Sequence, residues 1–258
     1  MASILFELKN SVAVIALNRP EKMNAFNGEM ALLLQKILDD CAADKNIMAI
    51  YLTGNGKAFC AGQDLGELTG ENPPGFEVIL AEHYNPIVSR IRAIEKPVVC
   101  AVNGVAAGAG ANIALCCDIV VASNSASFIQ AFSKIGLIPD SGGTFILPRL
   151  IGFQKASALM MLGDKISATE AERIGMIYKV FTDENFVTDS MKIAITLSQM
   201  PCKALAYTKL ALNASLDNSL AAQLQKEDEL QCKAAHTTDY KEGVTAFIEK
   251  RLPVFKGE

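Results

Sequence analysis

Apolar residues in the first half of the chain fall into short runs and longer stretches with helical spacing. The runs ILFELKN, SVAVIALNRP and MAIYLTG are bounded by polar residues or glycine, which predicts three strands. Met30, Leu34 and Leu38 recur every four residues, which predicts an amphipathic helix. The same spacing between Phe76 and Ile91 predicts a second helix.

The stretch from Pro97 to Cys117 has no charged residue and is long enough to span a membrane. However, it contains the β-branched run PVVCAV and then Gly104, Gly108 and Gly110. We therefore interpret it as a buried strand, a glycine turn and the start of a buried helix, followed by a strand in DIVVAS. This alternation of strands and helices predicts an α/β fold.

The second half of the chain has mainly helical patterns. Ser167 and Glu170 have the spacing of a capping box that opens a helix. Several helical stretches follow between about residues 185 and 251, with predicted breaks near Pro201 and Gly243. We expect a core domain over residues 1–195 and a helical appendage over residues 196–258.

Composition excludes several classes of function. The 258 residues carry a net charge of −4, which argues against a nucleic-acid-binding protein. Seven cysteines without a CxxC pair, and only two histidines, argue against a disulfide framework and a metal centre. The N-terminal residues lack the pattern of a signal peptide, so we predict a cytoplasmic protein that is not membrane-bound.

The candidate chemistry lies in two glycine-containing loops that each follow a predicted strand. One runs from Thr53 to Leu65 and the other from Asn103 to Asn112. Glycine allows close approach of the backbone, and a helix start leaves N–H groups unpaired, so two such loops can stabilise an oxyanion. The alternatives are a tight packing turn, or a dinucleotide loop of the GxxxGxG type that stands unusually late in the chain.

Two segments, KAFCAGQDL and KPVVCAVNGVAAGAGANIALCCDIVVAS, together resemble the crotonase (enoyl-CoA hydratase/isomerase) superfamily. The resemblance extends from LNRPEKMNAF to EGVTAFIEKR, and the segment AFSKIGLIPDSGGTFILPR resembles its epoxyphenylacetyl-CoA isomerase group. It implies a spiral of ββα units with a C-terminal helical region that forms a homotrimer or a hexamer. It also implies an acyl-CoA thioester as substrate, with CoA as part of that substrate and no separate cofactor.

The resemblance also implies roles for individual residues. The oxyanion donors correspond to the backbone N–H groups of Gln63 and Ala109, where relatives have glycine at the second position. Lys250 is equally well explained as part of a solvated helix face. The residues implied in binding the substrate are Lys22, Asn24, Ala25, Phe26, Ala61, Gly62, Asp64, Leu65, Asn112, Phe132, Phe247 and Lys250.

The sequence departs from the hydratases of this family at two positions. Their two catalytic glutamates correspond to Asn112 and Phe132, neither of which can act as acid or base. Asp140 stands where isomerases of the family have a proton-shuttling aspartate. Apolar neighbours would raise its pKa and suit it to this role, although it could instead cap the following helix. We therefore expect an isomerase that shifts a double bond or opens a ring epoxide beside the thioester.

Three other functions remain open from the sequence. The chain could be a hydratase-like enzyme, an aryl-CoA dehalogenase that uses Asp140 as nucleophile, or a non-catalytic acyl-CoA-binding subunit. His83 is the only nearby base for a dehalogenase, but its position on an apolar helical face is more typical of a packing residue. Cys60 has no histidine partner that would make it a nucleophile.

Overall fold

The apolar runs of the first half form the larger of two sheets. The computed structural model describes residues 2–70 and 73–257. The strands in the described residues are β1 (Ile4–Lys9), β2 (Val12–Leu17), β3 (Ala49–Gly54), β4 (Ala58–Cys60), β5 (Val98–Val102), β6 (Val105–Ala107), β7 (Ile119–Ser123), β8 (Ser127–Ile129), β9 (Lys165–Ser167) and β10 (Lys179–Phe181). The larger sheet has the order β1-β2-β3-β5-β7-β10 and is parallel except for the β1–β2 hairpin.

The smaller sheet has the order β4-β6-β8-β9 and is parallel except for the β8–β9 pair. Each of β3, β5 and β7 is followed along the chain by a short strand of this second sheet, and then by helix. The chain thus repeats a ββα unit whose two strands belong to different sheets. This arrangement is a spiral, and it confirms the predicted α/β fold class.

The helices cover the sheets and bury the apolar stripes seen in the sequence. They are α1 (Gly28–Ala43), α2 (Leu65–Leu68), α3 (Phe76–Val78), α4 (Asn85–Ala93), α5 (Ala109–Leu115), α6 (Gly143–Ile151), α7 (Phe153–Leu162), α8 (Ala168–Arg173), α9 (Phe186–Ser198), α10 (Cys202–Ser215), α11 (Leu220–Ala235) and α12 (Thr238–Glu249). In α1, Met30, Leu34 and Leu38 are buried as predicted. A π-helical turn, Ile79–Tyr84, joins α3 to α4.

The uncharged stretch from Pro97 to Cys117 forms β5, β6 and α5 rather than one long helix. All residues of β5 and α5 are buried inside the domain. Strand β6 was not predicted, because three residues between two glycines are too few to show a period. Among the described residues, no helix is both long and apolar enough to cross a membrane.

The C-terminal helices contain one predicted break and lack the other. Helix α9 ends at Ser198 and α10 begins at Cys202, directly after Pro201. The break predicted near Gly243 is wrong, because α12 continues through it. A Cβ there would lie 3.5 Å from the ring of Phe255, an ordinary contact, so the C-terminal tail packs against the helix at this glycine. The division into 1–195 and 196–258 stays a prediction.

Helix α10 is attached to the core by a polar network. Lys209 Nζ donates to the carbonyl of Ile91 and forms an ion pair with Asp118 at 2.8 Å. Asn213 donates to the carbonyl of Arg92 at 3.0 Å and accepts from its guanidinium. Arg92 also reaches Asp118, so cations from α4 and α10 share one carboxylate. These contacts fix the start of the helical region against the ends of α4 and β7.

Candidate active site

The first loop holds Gln63 between two neighbouring segments of chain. The N–H of Phe26 donates to the carbonyl of Gly62 at 2.7 Å, and the N–H of Asp64 donates to the carbonyl of Phe26 at 2.8 Å. Peptide bonds in the described residues are trans, so the N–H of Gln63 points opposite to the carbonyl of Gly62. The Gln63 N–H therefore faces away from Phe26, towards the side on which β6 lies. Gly62 makes this turn with φ of 91°.

The second loop ends in the N-terminus of α5. Gly108 has φ of 53° and ψ of −128°, a conformation that favours glycine. Its N–H donates to the carbonyl of Ile129, and its carbonyl accepts from the N–H of Asn112. Because that carbonyl points along the helix, the N–H of Ala109 in the same peptide points out of the helix start. It is one of the first-turn N–H groups without an intrahelical acceptor.

The two loops meet at their glycines. A Cβ on Gly62 would lie 3.0 Å from the carbonyl oxygen of Ala107 and 3.5 Å from the N atom of Ala109. A Cβ on Gly110 would lie 2.6 Å from the carbonyl oxygen of Cys60. The structure thus brings Gln63 and Ala109 together, with their N–H groups on facing segments. Two such donors suit an oxygen that gains negative charge, and the positive end of α5 adds to the effect.

Asp140 lies in the loop before α6 and is partly buried. Burial raises the pKa of its carboxyl above the ordinary value, and the hydrogen bond from Ser141 Oγ at 2.8 Å opposes this in part. The alternative role as a helix cap does not fit the contacts. Gly142 occupies the cap position of α6, and the N–H of Gly143 donates to the Asp140 main-chain carbonyl rather than to the carboxyl group.

Aromatic side chains surround the loops. Phe132 is buried, and its ring lies 3.7 Å from where a Cβ on Gly108 would be. Tyr84 is 1% exposed, packs edge-on against Phe26 and donates from its hydroxyl to Gln63 Oε1 at 2.6 Å. Burial, and after it the electrostatic influence of Cys60, Asp140 and Glu67, raise the pKa of Tyr84 far above its usual range.

Tyr84 was not singled out from the sequence, where it is one member of an apolar helical face. The sequence still offered one indication, because a tyrosine on a predicted buried face usually has a hydrogen-bond partner for its hydroxyl. Its partner, Gln63, donates in turn to Glu67 at 2.7 Å, and Glu67 accepts the first N–H of α1 from Gly28. A chain of hydrogen bonds thus connects the first loop to two helices.

The polar atoms of Asn112 bind protein groups. Its side chain is completely buried, accepts from Gln130 Nε2 at 2.7 Å and donates to the main-chain carbonyl of Asp140 at 2.8 Å. The direct substrate contact expected from the sequence stays a prediction. The amide joins α5 to the loop that carries Asp140.

The predicted substrate-binding residues from Lys22 to Phe26 include both exposed residues and residues with structural contacts. Lys22 is exposed at the end of a short 3₁₀ turn. Asn24 is fully buried, and its amide donates to the carbonyls of Asn55 and Ala58, which closes the first loop. The contacts of the Asn24 side chain are therefore structural, and its predicted contact with CoA stays a prediction. Ala25 accepts from the guanidinium of Arg19 through its carbonyl.

The residues that flank Gln63 have distinct environments. Ala61 donates through its N–H to the carbonyl of Met23. Asp64 forms a partly buried ion pair with Arg19 at 2.8 Å, which lowers the pKa of the carboxyl, and its other oxygen caps α2. Leu65 is 54% exposed although it is apolar.

The two C-terminal candidates are not brought to the loops within one chain. Phe247 is 85% exposed on α12, and it lines a groove together with Pro201 and Phe255. Lys250 ends the same helix in a left-handed conformation and is exposed. The predicted contact of these residues with CoA stays a prediction.

Two reactive side chains near the loops are poorly suited to chemistry. Burial raises the pKa of the Cys60 thiol to about 12, so a thiolate is disfavoured. The buried ring of His83 lies against Gly28 at the start of α1.

No cluster of three or more metal-ligating side chains occurs within residues 2–70 and 73–257.

The fold and the paired loops define a class of enzyme with two facing main-chain donors for an oxyanion, and comparison with known proteins identifies the family. Residues 7–258 match the enoyl-CoA hydratase/isomerase family. The 1,2-epoxyphenylacetyl-CoA isomerase of Escherichia coli is 44% identical over the full length of both chains. A Rhodobacter capsulatus protein described as a probable enoyl-CoA hydratase is also 44% identical and covers 99% of this chain and 98% of its own.

Solved structures agree with this assignment. The enoyl-CoA hydratase from Bacillus anthracis superposes with a TM-score of 0.93 at 34% identity, over all of both chains. The chain therefore belongs to the enoyl-CoA hydratase/isomerase family, which confirms the resemblance seen in the sequence. It is a crotonase-type enzyme of the acyl-CoA isomerase and hydratase class.

Proposed function

We propose that this enzyme is an acyl-CoA isomerase in which Asp140 moves the proton, with an epoxidised phenylacetyl-CoA or a β,γ-unsaturated acyl-CoA as substrate. The observation that carries the proposal is the desolvated carboxyl of Asp140, while the two positions expected to hold hydratase glutamates are Asn112 and Phe132. A single carboxylate can remove and return one proton, whereas the two-glutamate hydration needs a second acid or base. The 44% identity to a named isomerase supports the same class of reaction.

The proposed reaction uses the two loops and Asp140 in sequence. The thioester carbonyl binds between the N–H groups of Gln63 and Ala109. The Asp140 carboxylate takes a proton from the carbon beside that carbonyl, and the electron pair forms a dienolate whose oxygen is stabilised by both donors. Asp140 then returns the proton at the γ-carbon, which completes the shift of the double bond. Removal of one such donor in related oxyanion sites costs about 3–4 kcal/mol.

The apolar environment favours an unsaturated or aromatic acyl group. Phe132 lies beside Gly108 at the second loop, and Leu65 is exposed next to the first. Lys22 is exposed and positively charged, so it can bind a phosphate of CoA as a point charge. We assign Phe247 and Lys250 to the same ligand from a neighbouring subunit, since both are exposed on α12.

We also propose a homotrimer, or a dimer of trimers, built through the helical region. Large apolar side chains on α10, α11 and α12 are exposed in the single chain, and a cluster of this kind is typical of an interface. They include Leu212, Leu220, Leu224, Val244, Phe247 and Ile248. Light scattering coupled to size exclusion distinguishes the monomer, trimer and hexamer of this 27.6 kDa chain.

The central test is Asp140→Asn, assayed with a Δ3-enoyl-CoA and with epoxidised phenylacetyl-CoA. We expect kcat to fall by about 10²–10⁴-fold, the usual contribution of a proton-transferring side chain. Asp183→Asn is the matched control, because this exposed carboxyl accepts a hydrogen bond from the Ser125 N–H away from the loops. Retained turnover in Asp140→Asn would reject Asp140 as the proton carrier.

Product analysis separates the isomerase from its alternatives. Hydration, the activity in the name of the Rhodobacter capsulatus relative, would give a 3-hydroxyacyl-CoA, whereas isomerisation leaves the mass unchanged. A dehalogenase would pass through an aspartyl ester and place solvent ¹⁸O in the Asp140 carboxyl. A binding subunit would give neither product, nor any exchange of the α-proton of a bound thioester into D₂O.

A further inference from the structure

The main-chain carbonyl of Asp140 has two hydrogen-bond donors. The N–H of Gly143 donates to it at 2.8 Å, and Asn112 Nδ2 donates to it at 2.8 Å from α5. A carbonyl oxygen offers two lone pairs, so both are occupied. The orientation of the peptide after Asp140 is therefore fixed from within its own loop and from a neighbouring helix.

Helix α5 contacts this loop at successive turns. The N–H of its first residue, Ala109, points outward where the two glycine-containing loops meet. Asn112 donates a hydrogen bond to the Asp140 carbonyl, and the thiol of Cys116, one turn further along, lies 3.5 Å from the carbonyl of Ser141. The spacing of three and then four residues places such side chains on one face of a helix. One rigid element thus connects an oxyanion donor with the main chain of the proposed acid.

The loop is shaped to fit Asn112 closely. A Cβ on Gly143 would lie 2.6 Å from Asn112 Cγ, so only glycine leaves space for the amide. Ser141 and Gly142 are both in the left-handed region, with φ of 51° and 76°. This conformation is unfavourable for serine and persists only where surrounding contacts hold it. Asn112 in α5, and Cys116 directly after its last residue, supply such contacts.

We propose that Asn112 is a positioning residue that sets the distance between the Asp140 carboxyl and the oxyanion donors through its hydrogen bond to the Asp140 carbonyl. The proposal rests on the proposed isomerase function. Asn112 touches no reacting atom in this scheme. Without its Nδ2 donor, the Asp140 loop loses its attachment to α5, and the carboxyl no longer remains in reach of the substrate carbon.

The test is Asn112→Asp, which keeps the shape and the acceptor for Gln130 but removes the donor to Asp140. Asn112→Ala is the second variant, because it removes the donor without adding a charge. We expect kcat to fall by about 100-fold in both, the cost of a misplaced catalytic group, with KM within about threefold of wild type. Melting temperatures are measured in parallel.

Asn213→Asp is the matched control. Asn213 also donates to a main-chain carbonyl, that of Arg92, but it does so from α10. If Asn112 only stabilises the fold, the Asn112 and Asn213 variants will lose activity in proportion to the decrease in their melting temperatures. That result, near-normal kcat in Asn112→Asp, or failure of both Asn112 variants to fold would overturn the positioning role.

The failure of the proposed function has a different signature. If wild-type protein turns over no unsaturated or epoxidised CoA thioester, the isomerase assignment falls and the positioning role falls with it. If wild type is active, Asp140→Asn is inactive and Asn112→Asp is normal, only the inference on Asn112 is rejected.

Discussion

The hydroxyl of Tyr84, a side chain that is 1% exposed, donates a hydrogen bond to the side-chain carbonyl of the partly buried Gln63 at 2.6 Å. Gln63 is the residue whose main-chain N–H faces the second loop. The same side chain donates to Glu67, which accepts the first N–H of α1. The loop that carries one oxyanion donor is therefore held through its side chain as well as its backbone.

Substitution of Tyr84 by Phe tests this support. Removal of the hydroxyl leaves Gln63 Oε1 without its donor, so we expect a loss of about 1–3 kcal/mol in stability. The Phe26–Tyr84 ring contact is retained, because the ring remains. Chemical denaturation measures the stability, and steady-state kinetics should show a larger fall in kcat than rise in KM. Tyr178→Phe, at an exposed tyrosine, provides the comparison and should be neutral.

The raised pKa of Asp140 leads to a prediction for how the stability of the protein depends on pH. Because the native state holds this proton more tightly than the unfolded state, the stability contribution of the group decreases as pH rises above 3.8 and through the native pKa. At neutral pH the full penalty of the buried charge is present. Asp140→Asn removes it, so we expect a stability gain of about 0.5–2 kcal/mol together with the loss of turnover.

Thermal melts of wild type and Asp140→Asn at several pH values check this sign. The two proteins should converge at the lowest pH, where Asp140 is protonated in both the folded and the unfolded state. In the kinetics, the acidic limb of kcat/KM should lie above the pKa of an ordinary carboxyl, since the carboxylate is the active form. A variant that is less stable than wild type at pH 7 contradicts the desolvation argument.

Removal of Lys209 from its ion pair with Asp118 should cost stability, because it leaves buried acceptors without a donor, although burial itself lowers the pKa of the lysine. Lys209 is 7% exposed, and both its contacts lie on the core side of α10. Lys209→Met keeps the length of the side chain but leaves the Ile91 carbonyl and one carboxylate oxygen without this donor. We expect a loss of about 1.5–3 kcal/mol, as for a buried hydrogen bond to a charged group.

The control for that substitution is Lys203→Met on the same helix. Its ion pair with Glu95 is largely exposed on both sides, so the expected loss is below about 1 kcal/mol. Urea denaturation of both variants gives the comparison. Equal losses of stability in the two variants would show that burial of the Lys209–Asp118 ion pair does not determine its contribution to stability.

Close approach of the two loops can be tested with a single methyl group. A Cβ on Gly110 would lie 2.6 Å from the carbonyl and 2.7 Å from the Sγ of Cys60, so Gly110→Ala must push the segments apart. We expect a fall in kcat of about 100-fold, because the donors are displaced relative to each other. Gly70→Ala is the control, since its Cβ would meet only ordinary contacts at 3.7 Å or more. Normal kinetics in Gly110→Ala would exclude a role for this contact.

The sequence predicted the parts of the fold that have a clear period or a strong local signal. Five strands of the larger sheet (β1, β2, β3, β5 and β7) and α1 follow from runs and stripes of apolar residues, and the break at Pro201 follows from the proline itself. The sixth strand, β10, was not predicted. The break at Gly243 was wrong, because a glycine inside a helix is indistinguishable in sequence from one that ends a helix. Strand β6 was missed for lack of length.

The site was predicted unevenly for a comparable reason. Gln63, Ala109 and Asp140 were selected from their motifs, and the structure brings the first two together. The contacts of Asn24 and Asn112 were not predictable, because a motif gives the identity of an amide but not its hydrogen-bond partners. Tyr84 was missed since its partner lies 21 positions away.

By itself, the sequence determined the α/β class, the family and the residue types available for chemistry, because these depend on local periodicity and on short motifs. Only the tertiary structure decided which polar atoms are occupied by the protein and which N–H groups remain free to face a ligand. Hydrogen bonds are directional and join residues that are distant in the chain. Their pairing therefore depends on how the two sheets and α5 pack, which no local pattern of residues specifies.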